Sequence, residues 1–328
     1  EVMTPGTGLE WTPVVTGKSR DLVFISTTPK RPPLPAVMNM KSRKIKLLAE
    51  DHIPAEFPLQ QLVTPKQVIY ESEDGWKIHA TLFKPEKLKG KNPAIIYVHG
   101  GPPRQMLLGW HYSSYYSNAY AVNQYLVSQG FVVLSVNYRL GIGYGYEFHR
   151  PVDGGARGAS EYKDVKAGAL WLARQEFVDP RRIGIYGGSY GGYLTALALG
   201  RNSDLFAAGV DISGVHDRTN RRSRSSESSS RFEQPPDLEK ARKIAWESSP
   251  VSSVSTWKSP VLIIHADDDR NVAFEQSTDL VQRLREQGVY CETLAIPDDT
   301  HHFLLFKNQL RVNKAAADFF IRFFKSQK

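Results

Sequence analysis

The sequence predicts an α/β fold in which a mostly parallel sheet carries helices on both faces. Three observations predict it. From Gln67 onward, short apolar runs alternate with longer segments of helical composition. The runs Ala94 to Val98 and Val261 to His265 are apolar almost throughout, as strands buried on both faces are. Glycine stands at several of the junctions, Gly130 between a helix and the next strand among them.

Taken in chain order, residues 1–65 differ in texture from the rest. Asp21 to Ser26 and Arg43 to Leu48 read as short strands with the proline-rich Pro29 to Pro35 between them. Two or three such strands are too few to make a core of their own, so this β-rich N-terminal segment needs something to lean on. Residues 66–328 carry the α/β pattern. Gln67 to Glu71 and Lys77 to Phe83 form an antiparallel pair around the Asp74-Gly75 turn, followed by the strand Ala94 to Val98. Asn118 to Gln129 is helical, and Gly130 stops it before the strand Phe131 to Val136. Then come the helix Ser160 to Arg174, the strand Arg182 to Tyr186 and the helix Tyr190 to Leu199. Strands at Ala207 to Ile212, Val261 to His265 and Glu292 to Ile296 complete the sheet, and helices at Phe274 to Gln287 and Lys307 to Phe324 cover it.

With 41% hydrophobic and 23% charged residues, the 328-residue chain has the make-up of a soluble globular protein able to bury a large core. The formal net charge is +8, but Arg218, Arg221, Arg222, Arg224 and Arg231 crowd into one Ser/Arg-rich stretch. No aromatic residue interleaves with those charges before Phe232, so the stretch reads as a solvated, mobile loop and no nucleic-acid partner is expected. No apolar run approaches the roughly 20 residues of a membrane span, so no membrane partner is expected either. The single cysteine, Cys291, sits in an alternating strand pattern and cannot form an internal disulfide. Cysteine usage therefore leaves the compartment open between cytoplasm and a secreted or periplasmic location. The oligomeric state is equally open, a homodimer included.

Gly187-Gly188-Ser189-Tyr190-Gly191 matches G-x-S-x-G between an expected strand and an expected helix. Small residues on both sides of the serine let the chain turn sharply and push the hydroxyl out above the sheet. The helix start points free amides toward any negative charge that develops there, so the Tyr190 amide is the expected first oxyanion donor. A serine hydroxyl needs a base to take its proton and an acid to hold that base. Val261 to His265 runs into Ala266-Asp267-Asp268-Asp269-Arg270-Asn271-Val272, which offers the acid. Ile296 leads to Pro297-Asp298-Asp299-Thr300-His301-His302-Phe303, which offers the base. The order serine, acid, histidine and the strand-end position of all three are those of an α/β-hydrolase fold. The loop His99-Gly100-Gly101-Pro102 after the strand Ala94 to Val98 offers a second oxyanion donor, Gly101 first and Gly100 next. His99 reads as a hydrogen-bonded loop residue. No metal or other cofactor is expected, since a metal site would ask for more ligands than this edge offers.

These residues resemble the prolyl oligopeptidase family of serine peptidases, especially its dipeptidyl-peptidase and acylaminoacyl-peptidase branches. The resemblance runs over about residues 66–328, through His99-Gly100-Gly101-Pro102, Asn137-Tyr138-Arg139, Gly143-Tyr144-Gly145, Gly187 to Gly192, Ser249-Pro250-Val251 and His265 to Val272. It implies catalytic Ser189, Asp269 and His301: the acid lies four positions after the strand-ending histidine, and His302 takes the position usually held by glycine. It also implies a substrate pocket at Val215, Asn271 and Val272, peptide substrates, and a propeller whose last blade residues 9–65 resemble. Three departures stand out. His99 occupies the place of an oxyanion-hole tyrosine in dipeptidyl peptidases, the propeller glutamates that hold a substrate's amino terminus are not in this chain, and Val215-His216-Asp217-Arg218 lacks the aromatic lining of proline-selective members. The expected activity is hydrolysis of short peptides through an acyl-enzyme on Ser189. An esterase or other acyl hydrolase on the same triad, and a catalytically silent binding domain, are the alternatives.

Overall fold

The computed structural model describes residues 2–325 apart from 5, 7, 19, 89 and 220–236. Most of the Ser/Arg-rich stretch expected to form a loop, Arg221 to Arg231, lies outside the described residues.

The N-terminal segment forms β1 (Leu9–Val15), β2 (Leu22–Thr27), β3 (Leu34–Met38) and β4 (Ile45–Leu47). They pair antiparallel, each with the next, in a sheet separate from the main one. β3 starts inside the proline-rich run, where the residue pattern marks no strand. Its Leu34, Ala36 and Met38 alternate inward, and Ala36 and Met38 pack on Phe24, while Pro35 stands outward near the strand's start, where a missing N–H costs little. This small core leans on the rest of the chain: Leu9 packs on Gly109, and the Tyr120 hydroxyl donates to the Pro29 carbonyl at 2.7 Å. Phe57, Leu62 and Val63 pack with the main sheet's core.

The main sheet comprises β5 (Lys66–Glu71), β6 (Lys77–Phe83), β7 (Asn92–Val98), β8 (Val132–Asn137), β9 (Val178–Gly188), β10 (Ala208–Ile212), β11 (Val261–Ala266) and β12 (Cys291–Ile296). Its spatial order is β12-β11-β10-β9-β7-β8-β6-β5. All neighbours from β12 to β8 are parallel, and β6 and β5 add the antiparallel end around the Ser72 to Trp76 turn. Helices α1 (Ser114–Ser128) and α7 (Phe306–Lys325) cover one face; α3 (Glu161–Ala173), α4 (Tyr190–Arg201) and α6 (Glu275–Glu286) cover the other. Successive strand residues feed opposite cores, Ile95 and Tyr97 toward α1 and α7, Ile96 and Val98 toward α3 and α4. Two short helices, α2 (Tyr146–His149) and α5 (Leu238–Glu247), lie in connections that the sequence pattern did not mark. No helix among the described residues is long and apolar enough to cross a membrane.

The topology decides where a ligand can bind. From β7 the chain crosses over to β8 on one side, and β9 then returns to the other side of β7. Loops leaving β7 and β9 therefore diverge and open a crevice at their carboxyl ends. That crevice receives His99 to Gly101 from β7 and Ser189 from β9.

Candidate active site

Ser189 stands between β9 and α4 with φ 60° and ψ −117°, a conformation rare for a residue with a side chain. Its N–H donates to the Ile212 carbonyl at 2.8 Å and its carbonyl accepts from the Tyr193 amide at 3.0 Å, so the turn is fixed on both sides. The neighbouring glycines are required by space: a Cβ on either Gly187 or Gly191 would overlap the Val98 carbonyl oxygen at the end of β7. Ser189 itself stays partly accessible. The Tyr190 ring turns into the protein, where its hydroxyl donates to the buried Glu161 carboxylate at 2.6 Å.

Of the three consecutive aspartates, Asp267 and Asp268 are exposed and Asp269 is buried. Asp268 pairs with Arg270 at 3.1 Å, and the Asp267 carboxylate accepts from the Asp298 amide at 2.8 Å, which ties the acid loop to the histidine loop. Asp269 Oδ1 accepts from the amides of Asn271 and Val272 at 2.8 and 2.9 Å. Its Oδ2 meets His301 Nδ1 at 2.5 Å and His265 Nε2 at 3.1 Å. Burial pushes the Asp269 carboxyl up, but the hydrogen bonds from His265, His301 and the Val272 amide outweigh it and hold the group well below the usual carboxylate range.

His301 is buried and His302 exposed, with the His302 ring edge-on to Tyr115 at 5.4 Å between centroids. The partial enclosure of the otherwise exposed His302 imidazole lowers its affinity for a proton, and repulsion from His301 adds to the effect. Phe303 anchors the loop in the core, and the buried Asp299 carboxylate accepts from the amides of Thr300 and Leu304 and from the Asn308 side chain at 2.7 to 2.8 Å. Asp299 and Asp267 thus hold the two loops in place. A sequence can suggest such roles only as acidic residues beside turns.

The loop after β7 is pinned by the residues of the Asn137-Tyr138-Arg139 motif. The Tyr138 hydroxyl donates to the His99 carbonyl at 2.6 Å, and the Asn137 side chain accepts from the Met106 amide at 2.7 Å and donates to its carbonyl at 3.0 Å. Arg139 pairs with buried Asp164 at 2.7 Å and with Asp74 at 2.8 Å, joining the β5–β6 turn to α3. His99 stacks on Tyr138 at 4.3 Å, its Nδ1 lies 2.8 Å from the Gly100 carbonyl, and burial pushes it down to about 4. His99 is therefore a neutral buried ring at neutral pH. Gly100 is buried beside Ser189, where a Cβ on it would stand 3.3 Å from the serine Cβ; Gly101 follows, exposed, with φ 115°.

The residues expected to line a pocket stand on two segments, Val215 after β10 and Asn271 with Val272 after β11. Asn271 and Val272 serve the acid through their amides, and the Val272 carbonyl lies 3.1 Å from His265 Nε2. Val215 packs against the core on the α4 side. The next residue, His216, is buried and bonded to buried Asp211 at 2.6 Å, a pair that the sequence did not single out. A cavity of ≈ 550 Å³ lies between α6 and the β11–β12 face, with His265 and Ser277 in its wall.

The family model described as "Prolyl oligopeptidase family" matches residues 117–327, a span that holds Ser189, Asp269 and His301. This chain belongs to the prolyl oligopeptidase family. Its serine peptidase relatives include dipeptidyl aminopeptidase BIII of Pseudoxanthomonas mexicana, 30% identical over 69% of this chain and 32% of that protein. The acylamino-acid-releasing enzyme of Mus musculus is 26% identical over 68% of this chain and 30% of its own. Among solved structures, the acylaminoacyl peptidase of Pyrococcus horikoshii superposes with a TM-score of 0.76 at 24% identity, covering 98% of this chain and 51% of that one. The prolyl oligopeptidase family fold is thus shared over 98% of the chain, while the matched part of the chain spans about a third of the length of these curated relatives.

Proposed function

We propose that the chain carries the catalytic part of a serine peptidase that cleaves short peptides through an acyl-enzyme on Ser189. His301 takes the serine proton and later returns it to the leaving amine, and Asp269 holds the imidazole and stabilises its charged form. The amides of Tyr190 and Gly101 receive the oxyanion. The observation that carries this reading is the buried Asp269–His301 hydrogen bond of 2.5 Å on the same sheet edge as the strained Ser189. The glycine-bordered crevice between β7 and β9 supports the oxyanion assignment, and the names of the relatives, a dipeptidyl aminopeptidase and an acylamino-acid-releasing enzyme, support peptides as substrates.

We read residues 1–65 as the equivalent of a last propeller blade joined to the catalytic domain at 66–328. The four-stranded antiparallel meander of β1 to β4 supports this, four strands being the size of one blade.

The test compares aminoacyl anilides with simple aryl esters of the same acyl groups. Anilides should be cleaved with kcat/KM within about a hundred-fold of the esters, and Ser189→Ala should remove both activities by about 10⁴-fold or more. Ester cleavage with no anilide cleavage at any length would replace the peptidase by an esterase. Activity surviving in Ser189→Ala would remove the mechanism altogether.

A further inference from the structure

Asp269 Oδ2 is shared between two imidazoles. His301 lies on the side of the crevice, and His265, at the end of β11, approaches from behind the acid. His265 is 2% exposed and each of its ring nitrogens has a partner: Nε2 lies 3.1 Å from Asp269 Oδ2 and 3.1 Å from the Val272 carbonyl, and Nδ1 lies 2.6 Å from Ser277 Oγ on α6. The partners fix the tautomer. Facing Nε2 are two acceptors, a carboxylate and a carbonyl, so Nε2 carries the hydrogen; the Ser277 hydroxyl then donates to Nδ1.

We propose that His265 is a positioning residue that acts through Asp269, held in its donating tautomer by Ser277, and that it limits how tightly the acid grips His301. The proposal rests on the triad reading above. A carboxylate oxygen that accepts two N–H donors divides its negative charge between them, so each bond is weaker than it would be alone. A base needs the opposite of a maximal grip. If Asp269 held the imidazolium too strongly, His301 would stay protonated near neutral pH and could not take the serine proton. His265 also fills one side of Oδ2, and with the Asn271 and Val272 amides on Oδ1 it leaves the carboxylate one orientation, the one that aims Oδ2 at His301. Other titratable groups around this pair are Asp267, Asp268 and Arg270 on the acid loop, Asp298, Asp299 and His302 on the histidine loop, Tyr115 of α1, and Arg285 and Glu286 of α6 across the cavity. All remain in place in the variants below.

Without the His265 donor the full charge of Asp269 falls on His301, which keeps its proton to higher pH. The acid limb of the kcat/KM profile should therefore move up in His265→Leu by about one pH unit, with kcat at its plateau lowered roughly ten-fold by the loosened carboxylate. Ser277→Ala frees the ring to adopt the other tautomer and should move the limb the same way by less. His265→Gln, whose amide can still donate toward Oδ2, should bring the limb back toward that of the wild type. A purely structural His265 would lower the melting temperature or kcat in these variants and leave the limb where it was. A limb unmoved in both His265→Leu and Ser277→Ala overturns the proposal. Should His265→Leu fail to fold, the limb in Ser277→Ala decides alone. A wild-type profile without an acid limb, or His301→Ala at full activity, would overturn the triad reading and this proposal together; an unmoved limb beside an inactive His301→Ala overturns this proposal alone.

Discussion

Asp269 and His301 owe their arrangement to neighbours that the chemistry does not use. The Asp267 side chain and the Asp268 amide bind the histidine loop, so the two loops move as one piece, and Phe303 drives the histidine loop into the core. From this follows a residue-level expectation for two adjacent histidines. His301→Ala should abolish turnover, because the ring bonded to Asp269 is lost, whereas His302→Ala should keep activity within about ten-fold, since His302 is exposed and touches Tyr115 instead. Asp269→Asn should behave as the loss of an orienting group, with kcat down by roughly 10⁴ and an unchanged circular dichroism spectrum. Steady-state kinetics on the three variants check both statements. A reversed pattern for the histidines would place the loop one residue out of register. At this scale the sequence made Ser189, Asp269 and His301 candidates because each follows the end of a strand, in the order serine, acid, histidine. It did not show that His265 shares the acid, because a histidine closing a buried strand looks the same whether it faces a core or a carboxylate. Nor did it show that Asn271 and Val272 spend their amides on Asp269, since backbone bonds leave no mark on residue type.

The elbow between β9 and α4 is the element on which the site depends. β7 and β9 are adjacent parallel strands, and α4 must start directly above them, so Gly187 and Gly191 meet the Val98 carbonyl with no room for a side chain. Gly187→Ala should therefore lower stability by roughly 2–4 kcal/mol or displace the serine, because the atom it meets is backbone and cannot swing aside. Chemical denaturation measures this, and a variant as stable and as active as the wild type would show that β7 and the elbow lie further apart. The strands and helices of the main sheet were readable from periodicity, since apolar runs such as Ala94 to Val98 and Val261 to His265 pack on both faces. β3 was not: Pro35 is a strand breaker in composition, yet its outward place near the strand's start lets Leu34, Ala36 and Met38 define the inner face. The short α2 and α5 escaped notice for a related reason, as neither buries a wide apolar stripe; α5 has no buried residue at all.

For the whole molecule, the reversal of strand order between β7 and β9 explains why residues so far apart in sequence share one edge. The crevice collects His99 to Gly101 and Ser189, and the parallel strands β11 and β12 deliver Asp269 and His301 to the same end of the sheet. The likeness to the acylaminoacyl peptidase of Pyrococcus horikoshii, at a TM-score of 0.76, takes in nearly all of this chain and about half of that one. Activation of one serine at this edge is tested most directly by reaction with a fluorophosphonate followed by peptide mass spectrometry. A single adduct is expected on the peptide that contains Ser189, lost in Ser189→Ala and slowed by about 10²-fold or more in His301→Ala. An adduct on another serine, or labelling undiminished in a folded Ser189→Ala, would contradict it.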